Sequence, residues 1–67
     1  MSEYRSPLKE WRDEHGMSLR MLEDKTGVSK DVLNRFEKYG NTTVFALVRI
    51  ADTLSVSTDW LLGRTEK

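Results

Sequence analysis

The chain has 67 residues, no cysteine, and 11 basic and 11 acidic side chains that leave a formal net charge of zero. This length is enough for one domain with a small core, and the lack of cysteine excludes disulfides and thiolate metal sites. No apolar run approaches the roughly 18 residues that span a membrane, and no signal peptide is recognisable, so we expect a cytoplasmic protein without membrane attachment.

The first predicted helix begins at Ser6-Pro7 and ends near His15-Gly16. Serine suits the N-cap position, and proline suits the first helical position, where no N–H group is needed. Leu8 and Trp11 are three residues apart and therefore share one face of this helix.

The next two predicted helices, about Ser18–Thr26 and about Ser29–Lys38, are separated by a tight turn. A serine stands at the start of each, where its hydroxyl can accept a hydrogen bond from a free N–H group of the first turn. Gly27 can adopt the positive φ that ends a helix. Two helices joined by a short turn containing glycine form a helix-turn-helix unit, whose second helix can enter the major groove of DNA.

Two more helices follow. Thr42 or Thr43 is predicted to cap the fourth helix, and Ser57 or Thr58 the fifth, about Asp59–Leu62. The fourth helix carries an apolar stripe at three- and four-residue spacing, with Ile50 beside it: Val44, Leu47, Val48, Ala51 and Leu54.

The sequence therefore predicts an all-α fold of five short helices in one domain that spans residues 1–67, ordered over about 6–63. We expect frayed ends at Met1–Arg5 and Arg64–Lys67. The predicted core is Leu8, Trp11, Met17, Leu22, Val28, Leu33, Phe36, Leu47, Ile50, Ala51, Leu54, Val56 and Leu61.

Six segments follow one another in a recognisable order: Leu8–Arg12, Gly16–Arg20, Thr26–Ser29, Phe36-Glu37, Ile50–Ser57 and Asp59–Gly63. Together they resemble the Cro/CI-type, XRE-like helix-turn-helix regulators, and the last segment especially resembles small repressors of Gram-positive phages and mobile elements. The resemblance covers about residues 8–63 and implies a five-helix DNA-binding domain.

The sequence departs from the family pattern at a few positions. Glu23 stands where the family usually has alanine, and we expect its carboxylate to reach solvent or a cation, because burying it unpaired would be costly. Met21 and Phe45 are apolar where the pattern is usually polar, and Thr42 replaces a frequent proline.

The resemblance places the side chains that read bases at Lys30, Asp31 and Arg35, and Asn34 is a further candidate. Arg or Lys can donate to guanine, Asn can pair with adenine, and Asp can accept from cytosine N4. The alternative interpretation is a solvated helix face on which Asp31 and Arg35 form a weak i,i+4 pair.

Phosphate contacts are predicted at the rims of the helix-turn-helix, since backbone N–H groups and polar side chains there can hold phosphate oxygens. The alternatives are a plain N-cap for Thr43 and surface solubility for Arg20 and Lys38. The predicted contact residues are Arg20, Ser29, Lys38, Asn41, Thr42 and Thr43.

Two further pairs have structural interpretations. The family pattern implies a salt bridge between Arg12 and Glu37 that fixes the orientation of the third helix, although two solvated charges are the competing interpretation. Phe45 and Trp60 either cover the edge of the core or form a dimer surface, because aromatic residues are enriched at interface centres.

The sequence favours a DNA-binding regulator over an enzyme. It has one histidine, His15, and lacks a nucleophile–histidine arrangement, a glycine-rich phosphate loop and a plausible metal set, so we expect no catalytic activity, cofactor or metal. The leading hypothesis is a transcriptional repressor of the bacterial cytoplasm or nucleoid that binds a palindromic operator as a homodimer and inserts helix 29–38 into the major groove.

The alternative is a helix-turn-helix module whose main role is protein binding, such as an antitoxin, an antirepressor partner or a sensor domain. The zero net charge favours this alternative, because DNA-binding domains usually carry a basic excess, although a neutral total can hide a basic face. Glu23, Met21 and Phe45 point the same way.

Overall fold

The computed structural model describes residues 4–64, which form five helices and no strand. The helices are α1 (Pro7–Glu14), α2 (Leu19–Thr26), α3 (Lys30–Tyr39), α4 (Val44–Leu54) and α5 (Thr58–Leu61). The prediction of an all-α, five-helix fold is confirmed. Within the described part of the chain, no helix combines the length and the apolar character needed to cross a membrane.

Each helix starts after a serine or threonine whose side-chain oxygen accepts a hydrogen bond from the backbone N–H three residues further on. These caps are Ser6, Ser18, Ser29, Thr43 and Ser57. Thr43 rather than Thr42 therefore caps α4, and Ser57 rather than Thr58 caps α5. A cap of this kind stabilises a helix by about 1 kcal/mol, so the local sequence determines where each helix begins.

Gly27 and Gly40 end α2 and α3 in the left-handed conformation, with φ of 77° and 75°. Glycine has no Cβ to clash there. A Cβ at Gly27 would also lie 2.9 Å from a terminal guanidinium nitrogen of Arg49, and one at Gly40 would lie 3.0 Å from the ring of Tyr4. Both turns thus need glycine for conformation, and at Gly40 the close approach of the Tyr4 ring also favours glycine.

One core receives side chains from all five helices. The largest fully buried apolar residues are Phe36, Leu8, Leu22, Leu33, Ile50 and Leu61. Four residues predicted to be core, Trp11, Met17, Leu47 and Val56, are only partly buried and pack against this centre. The core is therefore smaller than the sequence predicted.

The predicted stripe of α4 is wrong at two positions. Val44 and Val48 are 77% and 43% exposed, whereas Ala46, which the prediction omitted, is 5% exposed. The buried row is Ala46, Ile50 and Leu54, whose four-residue spacing places them on one face. The predicted stripe thus faces partly toward solvent, and the buried face of α4 is centred on Ile50.

Tyr4 is anchored, contrary to the prediction of a frayed end over residues 1–5. Its hydroxyl donates to the carbonyl oxygen of Leu61 at 2.8 Å, and its ring centroid lies 6.1 Å from that of Phe36. Tyr4 thus connects α5 to the end of α3. Residues 1–3 and 65–67, where fraying was also predicted, lie outside the described residues.

We expect the protein to lose stability at alkaline pH when the hydroxyl of Tyr4 ionises. Burial, assisted by the charge of Glu37, raises the pKa of Tyr4 above its usual 10.0. Because the pKa of Tyr4 is higher in the folded than in the unfolded protein, Tyr4 makes its full contribution to the free energy of unfolding below about pH 10. This contribution is lost as pH rises through the folded-state pKa. Thermal unfolding followed by circular dichroism should show Tm of the wild type falling more steeply than Tm of Tyr4→Phe above about pH 10. Parallel curves would contradict this role.

Candidate nucleic-acid interface

Helix α3 has one buried face and one exposed polar face. Leu33, Phe36 and Glu37 are turned into the domain. The five other charged or amide side chains of α3 are all exposed: Lys30, Asp31, Asn34, Arg35 and Lys38. The structure thus leaves all four residues predicted to read bases accessible, with Lys30 at the edge of the buried face, seven residues before Glu37.

A bidentate ion pair holds α3 against α1. Arg12 Nε and a terminal nitrogen donate to the two carboxylate oxygens of Glu37, each at 2.9 Å, and the other terminal nitrogen donates to the Met17 carbonyl oxygen at 3.0 Å. The side chains of Arg12 and Glu37 are only 14% and 5% exposed. Hydrogen bonding to Glu37 raises the pKa of Arg12, so the arginine stays charged. This pair joins the two helices in the way that the family resemblance implied.

The carboxylate of Glu23 is paired with the backbone of α3. Its Oε2 accepts from the N–H of Lys30 at 3.0 Å, in a hydrogen bond that is exposed to solvent. The sequence had predicted solvent or a cation as its partner. Glu23 was not among the predicted interface residues, although a carboxylate seven residues before the first residue of the next helix was a signal available in the sequence.

A groove of about 330 Å³ runs between α3 and the segment that leads to α4. Two predicted base-reading residues and three predicted phosphate contacts line it together with a valine: Asp31, Arg35, Asn41, Thr42, Thr43 and Val32. The Thr42 hydroxyl is buried without a hydrogen-bond partner among residues 4–64. The Thr43 hydroxyl accepts from the N–H of Ala46 at 3.1 Å and remains able to donate its proton.

The other predicted phosphate contacts, Arg20, Ser29 and Lys38, are exposed, and Arg20 lies in the first turn of α2. Among all ten predicted contact residues, four are basic and only Asp31 is acidic. The predicted interface therefore carries positive charge although the chain as a whole carries none. A local excess of this kind is what attraction to phosphate requires.

The two aromatic residues predicted to form a dimer surface differ in how exposed they are. Phe45 is 73% exposed, with the guanidinium of Arg49 5.9 Å from its ring centroid. Trp60 is partly buried and packs against the core. Arg49 also donates to the carbonyl oxygen of Thr26 at 3.1 and 3.0 Å, which ties α4 to the end of α2.

The described residues do not group the side chains that a metal site would need. Within residues 4–64, no three histidine, aspartate or glutamate side chains are grouped so that they could hold a metal ion. His15 is exposed, and its ring stacks on Trp11 with a centroid distance of 3.9 Å.

Comparison with known proteins adds one positive finding. A family model described as helix-turn-helix matches residues 8–61. No curated protein and no solved structure matches the chain. The matched span includes α2, the turn and α3, together with both partners of the Arg12–Glu37 pair. The chain belongs to the Cro/CI-type, XRE-like helix-turn-helix family of DNA-binding regulators.

Proposed function

We propose that the protein is a sequence-specific transcriptional repressor of the bacterial cytoplasm, which inserts α3 into the major groove of a palindromic operator as a homodimer. The observation that carries this proposal is the division of α3 into two faces. Leu33 and Phe36 are fully buried, while Lys30, Asn34 and Arg35 are exposed. A major groove accepts one α-helix, and such a helix reads bases with the side chains of its exposed face.

Each proposed contact has a chemical role. Lys30 and Arg35 donate to guanine O6 and N7, Asn34 pairs with adenine, and Asp31 accepts from cytosine N4. Contacts to phosphate fix the register of the domain on the duplex without reading sequence. We assign them to Arg20, Ser29, Lys38, Asn41 and Thr43. Thr42, which the sequence also predicted, is left out because its hydroxyl is buried. Repression then follows from occlusion of a promoter, with no chemical change in the DNA.

Selection of binding sites from random DNA, followed by fluorescence anisotropy at several salt concentrations, tests the proposal. We expect a palindromic site whose half-sites lie about one helical turn apart. The logarithm of the affinity should fall linearly with the logarithm of the salt concentration, by about 0.9 for each phosphate neutralised. No binding to any DNA at low salt would reject the proposal.

We assign the dimer contact to the exposed apolar face of α4. Val44, Phe45 and Val48 are neighbours at helical spacing, and each is more than 40% exposed. A contiguous apolar patch on a small domain typically marks an interaction surface. A second copy of the chain on the adjacent half-site is the partner that a palindromic operator supplies.

Phe45→Ser should therefore weaken binding to the full palindrome while leaving binding to an isolated half-site unchanged. The reason is that Phe45 lies outside the proposed DNA contacts, so only the contact between copies is lost. Sedimentation velocity with each DNA would measure the stoichiometry. A wild-type protein that stays monomeric even on the palindrome would contradict the assignment.

A second candidate function uses the same face of α4. The patch of Val44, Phe45 and Val48 would equally suit another protein, as in an antitoxin or a sensor domain. The salt titration separates the two, because a module devoted to protein binding need not bind DNA at low salt.

A further inference from the structure

The carboxylate of Glu23 lies at the start of α3, although the residue belongs to the middle of α2. The hydrogen bond from the Lys30 N–H to Glu23 Oε2 is 3.0 Å long and crosses the turn between the two helices. It brings a negative charge to the first turn of the helix that we propose reads DNA.

The chain itself engages most N–H groups of this first turn. Besides the bond to Glu23, the Val32 N–H donates to the Ser29 hydroxyl at 3.3 Å. The Leu33 N–H donates to the Ser29 carbonyl oxygen at 3.0 Å. Free N–H groups at the positive end of a helix dipole are a natural site for a phosphate. In this chain, a carboxylate already holds that position.

We propose that Glu23 is a specificity-determining residue, because its carboxylate occupies the anion position at the Lys30 N–H and excludes a DNA phosphate from the backbone N–H groups that begin α3. The hydroxyl proton of Ser29 stays available for a phosphate beside this position. The inference rests on the proposed binding of DNA by α3. A phosphate contact at this position would strengthen binding to every sequence alike, since the backbone carries no sequence information. Blocking it leaves discrimination to the side chains of α3, including Lys30 and Arg35.

The short distance makes this exclusion effective. Glu23 Oε2 lies 3.0 Å from the Lys30 nitrogen, well within the roughly 8 Å over which physiological salt screens charges, so its repulsion of a phosphate at this position persists. The adjacent carboxylate, Asp24, is exposed on the same helix. Asp24 is therefore a matched control, because its removal deletes the same charge without opening the start of α3.

The first experiment needs no DNA. Inorganic phosphate is added to the wild type, Glu23→Ala and Asp24→Ala, and backbone amide resonances are followed by NMR. We expect phosphate to shift the Lys30 and Asp31 amides in Glu23→Ala only, because only that variant frees the Lys30 N–H and removes the competing carboxylate. Equal shifts in all three proteins, or no shift in Glu23→Ala, would overturn the inference.

The second experiment measures affinity for random-sequence DNA and for the selected operator. Glu23→Gln keeps an oxygen that can accept from Lys30 but removes the charge, whereas Glu23→Ala removes both. Affinity for random DNA should rise about two- to fivefold in Glu23→Gln and further in Glu23→Ala, and the operator-to-random ratio should fall in the same order. Asp24→Ala should change this ratio less than either variant.

A purely structural role for Glu23 gives a different pattern. In that case Glu23→Ala would bind both DNAs more weakly, in step with a lower Tm. Glu23→Gln would keep the operator-to-random affinity ratio of the wild type. This pattern would overturn the inference. If the wild type binds no DNA at low salt, the proposed function fails and this inference fails with it. If the wild type binds its operator and the Glu23 variants match it on both DNAs, only this inference fails.

Discussion

Arg12→Met or Glu37→Met is expected to lower the free energy of unfolding by about 3 kcal/mol, the cost of leaving one member of a buried ion pair without its partner. The geometry supports a value of this size, because both hydrogen bonds are 2.9 Å long and the Glu37 side chain is only 5% exposed. Arg12→Met should cost more than Glu37→Met. It leaves the less exposed charge unpaired and also removes the donor to the Met17 carbonyl oxygen.

A double-mutant cycle separates this coupling from simple loss of packing. The double variant, with methionine at both positions, should lose only about 1 kcal/mol, because no charge is then left buried. Urea unfolding would measure all three variants. The control is Lys9→Ala, which breaks the exposed Lys9–Asp13 pair, whose side chains are 57% and 61% exposed, and should cost about 0.5 kcal/mol or less. Small and additive losses at Arg12 and Glu37 would show that the pair is not coupled.

The same double variant tests what the pair does for recognition. Two apolar side chains can restore stability, but they cannot reproduce the fixed geometry of two parallel hydrogen bonds. We therefore expect the double variant to fold and yet to discriminate operator from random DNA less well than the wild type. Full discrimination would mean that packing alone orients α3.

The features that could be predicted from the sequence are those coded by neighbouring residues. Each helix start is marked by a serine or threonine that caps the N–H three residues ahead, and Gly27 marks the turn of the helix-turn-helix. Each of these interactions joins residues that lie within about one helical turn of each other in the sequence. The number and order of the helices therefore follow from local chemistry. The exposed face of α3 could be predicted for the same reason, since helical periodicity fixes which residues share a side.

The features that could not be predicted depend on contacts between distant residues or on close packing. The bond from Tyr4 to Leu61 spans 57 positions, and nothing near Tyr4 in the sequence indicates it. The buried face of α4 was placed wrongly because Val44 and Val48 also follow helical spacing, and periodicity alone does not say which of two adjacent apolar rows meets the core. Glu23 stood out in the sequence, but its partner is the backbone N–H of Lys30, and a backbone group carries no signal in the sequence.

Three contacts restrain α3, and their distribution has a functional consequence. The start of the helix is held by Glu23, its buried face by the Arg12–Glu37 pair, and its end by the ring of Tyr4 against Phe36. A binding site discriminates well when its supporting contacts keep the reading side chains within a fraction of an ångström of their working positions. The restraint of α3 at both ends therefore favours base reading over non-specific attachment.

Arg35→Ala should have the largest effect on recognition. Arg35 is exposed on α3 and lines the groove beside Asn41 and Thr42, so it can reach a base edge while the neighbouring segment holds the backbone. A bidentate contact from arginine to guanine contributes about 1–3 kcal/mol of discrimination, which is a loss of about 5- to 150-fold in operator affinity. Lys30→Ala should act similarly at another base pair of the half-site.

The pattern of the loss distinguishes base reading from phosphate attraction. Arg35→Ala should relax sequence preference at one position of the half-site, whereas Lys38→Ala should weaken binding to all sequences alike and reduce the salt slope by about 1. Lys9→Ala, on α1 and outside the proposed interface, controls for the loss of one positive charge. Competition binding with each single-base operator variant would measure these effects. If Arg35→Ala and Lys30→Ala kept the sequence preference of the wild type, Arg35 and Lys30 would not be readers of bases, because losing a base contact relaxes the preference at one position whereas losing a phosphate contact does not.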